Sequence, residues 1–144
     1  MIKILIVSDS EEFRRSVSSA LGPMSLQIIE VDDGRKSREV VRHEEPDVVI
    51  LDMQIGSMGG IAVCMDIRLE ESGGRIGPTK VLVVVDRRAD VFLAKRSGAD
   101  GYIVRPINPM RLRQALKTVL NGNPYHDETG RPYDRAVSND EIAL

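Results

Sequence analysis

The sequence predicts an α/β fold, in which a doubly wound parallel sheet of five strands is covered by helices on both faces. Short apolar runs rich in β-branched residues, at positions 2–7, 48–51 and 81–85, are typical of buried strands. Segments with apolar residues at helical spacing lie between these runs. Because the strand segments are almost continuously apolar instead of alternating, they favour parallel strands buried on both sides.

The elements alternate as five strand–helix units along the chain. Two weaker strands at 26–31 and 101–104 complete the five, and a short fourth helix is expected over 89–97. The apolar positions that predict the other four helices are, in order, Phe13, Val17, Ala20 and Leu21; Val40 and Val41 in the segment from Gly34; Ile61, Cys64 and Ile67; and Leu112, Ala115, Leu116, Val119 and Leu120.

Residues that begin and end helices agree with this assignment. Ser10 can cap the first helix, and the Gly-Pro pair at 22–23 ends it. Asn108 followed by Pro109 is typical of the start of the last helix, and the Asn-Gly pair at 121–122 ends it.

The chain is expected to form one domain over residues 1–121, followed by an extended, flexible C-terminal extension over 122–144. The extension has no sustained apolar period. Ser138 and Glu141 fit a capping box, which leaves a short terminal helix as an alternative.

Composition excludes several classes of protein. Of 144 residues, 42% are hydrophobic and 29% are charged, which argues against both a disordered chain and a membrane protein. The formal net charge of −2 argues against direct nucleic-acid binding. The start of the chain does not resemble a signal peptide, and Cys64, the single cysteine, excludes an internal disulfide, so we expect a cytoplasmic protein.

The carboxyl ends of the predicted strands carry the polar residues that could form a site. In an open parallel sheet these ends meet at one edge, where ligands bind. Asp52 is the most informative, because it ends the apolar VVILD run, whereas helix capping or solvation explains most loop charges taken singly. The residues that follow the strands are Ser8, Asp9 and Ser10; Asp52; Val85 and Asp86; and Arg105 and Pro106.

Four motifs together resemble the response regulator receiver domain of two-component signalling. They are ILIVSDS, PDVVILDMQIGSMGGIAV, VLVVVD and GADGYIVRPIN, and the resemblance covers about residues 1–121 in the order of all five units. It implies a flavodoxin-like sheet in the order 2-1-3-4-5 with five helices.

The resemblance also implies roles for individual residues. Asp52 corresponds to the phosphoacceptor, Asp9 to the second acid of an acidic pair, and Tyr102 to the aromatic switch residue. Pro106 matches a proline whose preceding peptide bond is typically cis. A magnesium ion would be held by Asp9, Asp52 and the backbone carbonyl of Gln54.

Several positions depart from the family pattern, so the chain resembles an atypical receiver. Ser8 stands at the first acid, Arg105 at the lysine, and Val85 at the Thr or Ser that ends the fourth strand; Val83 is the alternative register for that position. The loop at 55–60 has glycines where proline and aspartate are usual. The pocket loses net negative charge through these changes, which predicts weak magnesium binding.

Two of these substitutions suggest altered behaviour. Valine at position 85 offers no hydrogen bond to a phosphoryl oxygen, so Tyr102 should shift less completely than in a complete receiver. Arg105 either bridges Asp52 and Asp9 in place of a cation or contacts the phosphoryl group as lysine would. Asp86, one residue past its strand, is expected to face solvent.

Three hypotheses of function follow. The first is a receiver that accepts a phosphoryl group on Asp52 from a histidine kinase or phosphotransfer protein, and presents the face of the fourth helix, fifth strand and fifth helix to an output protein. The alternative is a phosphorylation-independent pseudo-receiver that acts as a protein-interaction module. A flavodoxin-like cofactor protein is disfavoured, because acidic residues follow the first strand. We expect no enzyme activity, no direct nucleic-acid or membrane partner, and a monomer or weak homodimer.

Overall fold

The computed structural model describes residues 1–128 of the chain as one sheet flanked by helices. The strands are β1 Ile2–Val7, β2 Leu26–Val31, β3 Val48–Asp52, β4 Lys80–Val85, β5 Gly101–Val104 and β6 Tyr125–His126. The helices are α1 Glu11–Leu21, α2 Ser37–Glu44, α3 Gly60–Ser72, α4 Val91–Arg96 and α5 Pro109–Leu120, with single 3-10 turns at Gly34–Lys36 and Arg88–Asp90.

The strands are all parallel and lie in the order β2-β1-β3-β4-β5-β6. The predicted order 2-1-3-4-5 and the five helices are therefore confirmed. The sixth strand was not predicted, since two residues form no apolar run; it pairs with β5 so that Tyr102 lies opposite His126. The extension thus begins at the sheet edge, while positions 129–144, with Ser138 and Glu141, lie outside the described residues.

Two hydrophobic clusters fill the space on the two faces of the sheet. Alternate residues of each strand enter opposite clusters, because successive side chains of a strand point to opposite faces. One cluster, which includes Leu51, Val83 and Val85, packs under α2, α3 and α4. The other, which includes Ile50 and Val84, packs under α1 and α5. Every residue of the central strand β3 is buried, including Asp52 at its carboxyl end.

The predicted helix ends are confirmed. The Ser10 hydroxyl accepts a hydrogen bond from the Phe13 N–H at 3.2 Å, and the Asn108 side chain accepts one from the Arg111 N–H at 3.2 Å. Helix α5 ends before Gly122, whose φ of +87° lies in the left-handed region that glycine adopts easily. Within residues 1–128, no helix combines the length and the apolar character needed to cross a membrane.

Candidate functional site

Four strand ends bring polar side chains together at the carboxyl edge of the sheet. Ser8 follows β1, Asp52 ends β3, Asp86 follows β4 and Arg105 follows β5. The order of the strands places the last three next to one another, since β3, β4 and β5 are neighbours. These side chains therefore meet at the edge of the sheet where the sequence analysis predicted a site.

Asp52 is a buried carboxylate with both oxygens engaged. Its side chain is 2% exposed. Oδ1 accepts hydrogen bonds from the Gln54 N–H at 3.0 Å and from Arg105 Nη2 at 2.8 Å, and Oδ2 accepts one from the Ser8 hydroxyl at 2.7 Å. A buried charge is costly unless it is paired and hydrogen-bonded. These three donors, one of them cationic, compensate the loss of water around the carboxylate.

Ser8 occupies the position where the resemblance implies an acid. It is fully buried, donates to Asp52, and accepts a hydrogen bond from the Ser10 N–H at 3.0 Å. A hydroxyl can donate one proton while it accepts another hydrogen bond, so both contacts are satisfied together. A carboxylate here would repel the Asp52 carboxylate, whereas the serine hydroxyl donates a hydrogen bond to it.

Arg105 joins two carboxylates. Nη2 contacts Asp52 Oδ1 and Nε contacts Asp86 Oδ1, each at 2.8 Å, while the guanidinium lies 5.1 Å from the centre of the Phe13 ring. The second carboxylate is therefore Asp86 and not the predicted Asp9. The sheet order is the reason, because β4 is the neighbour of β5, whereas Asp9 follows β1 on the far side of β3.

The expectation that Asp86 faces solvent is wrong. Its side chain is only 31% exposed, and one of its oxygens is held by Arg105. Sequence analysis placed Asp86 at this edge of the sheet but missed its contact with Arg105. The signal that could have found this contact is its place directly after β4, beside the strand that carries Arg105.

Asp9 lies at the outer side of the site. It is exposed, and its Oδ2 accepts a hydrogen bond from the Gly56 N–H at 2.8 Å in the loop after β3. The Ser57 hydroxyl donates to Asp33 Oδ1 at 2.5 Å and accepts from the Gly34 N–H at 3.1 Å. The loop that carries the atypical glycines is thus held from both sides.

Gly60, the first residue of α3, allows this helix to start directly against the end of β3. A Cβ atom at position 60 would lie 2.3 Å from the carbonyl oxygen of Asp52. No side chain fits at that distance, so glycine is required for this close approach. The backbone at the end of β3 therefore packs directly against the first turn of α3.

The register of β4 distinguishes the two candidate switch valines. Val85 is the last residue of the strand and lies opposite Val104, next to Arg105, whereas Val83 lies opposite Tyr102 two residues further in. Val85 therefore stands at the carboxyl edge, in the position expected for the Thr or Ser. Both valines are fully buried.

Tyr102 is buried on the same side of the sheet as these valines. It is 1% exposed, and its hydroxyl lies 3.3 Å from Arg88 Nη2. Its ring stacks on the ring of His126, with centres 5.4 Å apart and an angle of 15° between the planes. The peptide bond between Arg105 and Pro106 is cis, as the resemblance implied.

The donor set does not fit a magnesium ion in this arrangement. In residues 1–128 no three His, Cys, Asp or Glu side chains come together as a metal site. The oxygens of Asp52 already accept three hydrogen bonds, and Arg105 places positive charge where a cation would approach Oδ1. The Gln54 backbone, whose carbonyl was the predicted ligand, contributes its N–H to Asp52. Binding of a cation to Asp52 would require Arg105 to move away.

A cleft of about 690 Å³ lies beside the site, between α1 and α5. Its lining includes Arg105 and Pro106 together with Ser16, Ser19 and Arg113. Arg105 thus both lines this cleft and contacts Asp52, and its side chain is 34% exposed.

Comparison with known proteins gives one family. The sequence model of the response regulator receiver domain matches residues 4–117. The probable transcriptional regulator ycf27 of Porphyridium aerugineum is 30% identical over 140 residues, which cover 97% of this chain and 52% of that protein. The alkaline phosphatase synthesis transcriptional regulatory protein PhoP of Bacillus subtilis is 28% identical over 118 residues, covering 82% and 48%. The chain therefore spans about half the length of the curated relatives it matches.

Solved structures agree with this result. The signal receiver domain of the putative response regulator NarL from Mycobacterium tuberculosis superposes with a TM-score of 0.74 at 28% identity, covering 85% of this chain and 98% of that one. The chemotaxis response regulator CheY4 of Vibrio cholerae gives a TM-score of 0.73 at 27% identity, covering 83% and 98%.

Proposed function

Because the chain belongs to the response regulator receiver domain family, we propose that Asp52 accepts a phosphoryl group and thereby switches a protein-interaction face. The observation that carries the proposal is the contact between Arg105 and Asp52 at the end of β3, with 2.8 Å between Nη2 and Oδ1. This contact places a cation beside the oxygen to which a phosphoryl group would be attached. The protein acts in this proposal as a receiver of a signal and turns over no substrate as an enzyme.

The phosphoryl donor is a phosphohistidine of a histidine kinase or phosphotransfer protein. A carboxylate oxygen of Asp52 attacks the phosphorus, and the new O–P bond forms as the P–N bond breaks. The histidine nitrogen leaves with the electron pair of the broken bond and is reprotonated by solvent. Negative charge builds up on the phosphoryl oxygens during transfer, so a cation close to Oδ1 lowers the barrier.

Residues around Asp52 would perform separate parts of this step. Arg105 can neutralise the phosphoryl oxygens through its planar fork, while Asp86 holds the other side of the guanidinium. Ser8 and the Gln54 N–H keep the carboxylate oriented. Access requires Arg105 to rotate toward the cleft, since the Asp52 side chain is almost completely covered.

The proposal assigns no step to magnesium. Receiver domains generally bind this ion at the phosphorylation site, but here Ser8 replaces one acid and Arg105 supplies the positive charge on Asp52. We expect magnesium to bind more weakly than in a receiver with a complete acidic pair. The output belongs to a partner protein or domain that recognises the face of α4, β5 and α5.

A second candidate is a phosphorylation-independent pseudo-receiver. The observation that favours it is the state of Asp52, whose oxygens are fully engaged and whose side chain is buried. In that case the Asp52–Arg105 pair holds the loops at this edge in place, and the same interaction face acts without phosphoryl transfer.

Intact mass spectrometry after incubation with acetyl phosphate separates the two candidates. The proposal requires one added phosphoryl group on the wild type and on Asp32→Asn, a control at an exposed aspartate, and none on Asp52→Asn. Incubation is repeated with and without magnesium to measure the dependence on the ion. If no phosphoryl group is added to the wild type at high donor concentration, the pseudo-receiver is the better account.

A further inference from the structure

Residues 123–128, which we call the strap, lie against β5 and cover Tyr102. The Tyr125 N–H donates to the Asp100 carbonyl at 3.1 Å, and the two residues of β6 pair with Gly101 and Tyr102. The approach is close, because a Cβ at position 101 would lie 2.9 Å from the Tyr125 carbonyl oxygen. Glycine at this position allows the strap to reach the sheet.

Asp127 anchors the strap to three neighbouring elements. Its side chain is 2% exposed, and Oδ2 accepts a hydrogen bond from the Val104 N–H at 2.9 Å. Oδ1 lies 3.9 Å from Arg111 Nη1 in α5, and Arg88, at the start of the turn before α4, donates to the Asp127 carbonyl. Val104, which binds Asp127, directly precedes Arg105. The strap and the candidate phosphorylation site therefore contact adjacent residues of the chain.

One strap residue and two cationic side chains surround the ring of Tyr102. His126 stacks on it, and the Arg88 guanidinium and the Lys95 ammonium lie 5.6 Å and 5.7 Å from the ring centre. Arg88 contacts the tyrosine hydroxyl and the strap carbonyl at once. Tyr102 therefore cannot rotate without breaking contacts that the strap makes.

Few bonds hold the strap compared with the central strands. Strand β6 pairs over two residues only, His126 is exposed, and Tyr125, which packs against the cluster under α1 and α5, is only partly buried. A segment with few buried apolar contacts opens at a lower free energy than the core of the same domain. The strap is thus the part of this face that can detach while the sheet stays folded.

We propose that the strap is an autoinhibitory element that fixes the orientation of Tyr102 and covers the edge of β5 until it is displaced. The regulatory part rests on the proposed function: movement of Arg105 toward a phosphoryl group on Asp52 shifts Val104, weakens its bond to Asp127 and frees the strap. A protein partner then gains access to β5 and Tyr102.

The first test needs no phosphorylation and uses the full chain. Amide hydrogen exchange is measured in Asp127→Ala and His126→Ala, with His43→Ala on exposed α2 as the control. We expect Val104 to exchange about fivefold faster in Asp127→Ala, the effect of losing one hydrogen bond. His126→Ala should shift the NMR signals of the Tyr102 ring, because the stacked imidazole is removed. If both variants keep the amide exchange and the Tyr102 ring signals of the wild type, the proposal that the strap fixes Tyr102 is overturned.

A second variant and a measurement on the phosphorylated protein complete this test. If Asp127→Ala does not fold, Asp127→Asn retains an acceptor for the Val104 N–H and should give a smaller increase, while His126→Ala changes only an exposed side chain. The phosphorylated wild type should show faster exchange at 123–128 and at Val104. If Asp52 is phosphorylated and exchange at 123–128 does not change, phosphorylation does not release the strap. If Asp52 is not phosphorylated, the proposed function is overturned, and the first test alone decides whether the strap fixes Tyr102.

Discussion

Two neighbours, Ser8 and Arg105, allow Asp52 to be a buried carboxylate. With an acid at position 8, two carboxylates would meet below the sheet edge and demand a multivalent cation. Serine removes that repulsion and donates at 2.7 Å, while the fork of Arg105 reaches Asp52 and Asp86 at once. A lysine ammonium is a point charge and lacks this two-sided geometry. Ser8 and Arg105 are therefore two parts of one arrangement that stabilises Asp52 without a metal.

Arg105→Ala should increase magnesium affinity. Two unit positive charges about 4 Å apart repel by roughly 4 kcal/mol at an effective dielectric of about 20, and magnesium carries two such charges, so removal of the guanidinium favours magnesium on Asp52 by about tenfold or more after screening. Titration with magnesium followed by NMR measures the change. Arg113→Ala, which removes a guanidinium from the same cleft, is the control and should leave the affinity unchanged. Equal affinities in wild type and Arg105→Ala would contradict a role for Arg105 as the cation on Asp52.

Helices α2 and α3 are joined by an ion-pair cluster around Glu70. This carboxylate is 6% exposed and lies 2.6 Å from Arg42 and 3.1 Å from Arg75, with Arg38 at 3.6 Å. Burial raises the pKa of Glu70, but the hydrogen bonds from Arg42 and Arg75 outweigh this effect and hold its pKa below the usual 4.5. Since the folded pKa is the lower one, Glu70 stabilises the fold above pH 4.5, and this stabilisation is lost as the pH falls through the folded pKa.

Glu70→Gln should therefore destabilise the protein at neutral pH and have less effect in acid. Urea unfolding at pH 7 and at progressively lower pH gives the free energy of unfolding of each variant. The gap between wild type and Glu70→Gln should narrow as the pH falls below 4.5. Glu39→Gln, an exposed site on α2, is the control. A gap that stays constant with pH would show that Glu70 is not held ionised by its arginines.

The elements that the sequence predicted well are those with a strong local signal. Strands β1, β3 and β4 are apolar runs, and the first and last helices carry capping residues, so their positions follow from burial and hydrogen bonding within a few residues. Strand β6 has no such local signal, because two residues form no apolar run. Its place beside β5 depends instead on contacts between residues far apart in sequence, such as those of Asp127 with Val104 and Arg88. The partner of Arg105 was also missed, although the expected strand order already places Asp86, after β4, beside Arg105, after β5.

The response of the whole domain depends on how much free energy a phosphoryl group contributes to the equilibrium between the unswitched and switched conformations. A shift of a two-state equilibrium from 1:99 to 99:1 requires about 5.5 kcal/mol. A hydrogen bond to a charged group contributes about 1.5 to 3 kcal/mol, and neither Val85 nor Val83 can donate one. The strap adds contacts to Tyr102 that must also be broken. This domain should therefore switch only partly when Asp52 is phosphorylated.

Val85→Thr should enlarge that response. Threonine has nearly the shape of valine, and at the carboxyl end of β4, where Asp52 lies opposite Val84, its hydroxyl can donate to a phosphoryl oxygen. A gain of about 1.5 kcal/mol raises the ratio of switched to unswitched molecules roughly tenfold. The measurement is the change in the NMR signals of the Tyr102 ring at equal phosphorylation, and Val83→Thr, two residues further from the edge, is the control. A larger gain in Val83→Thr would move the switch position to residue 83, and no gain in either variant would show that the missing hydroxyl does not limit switching.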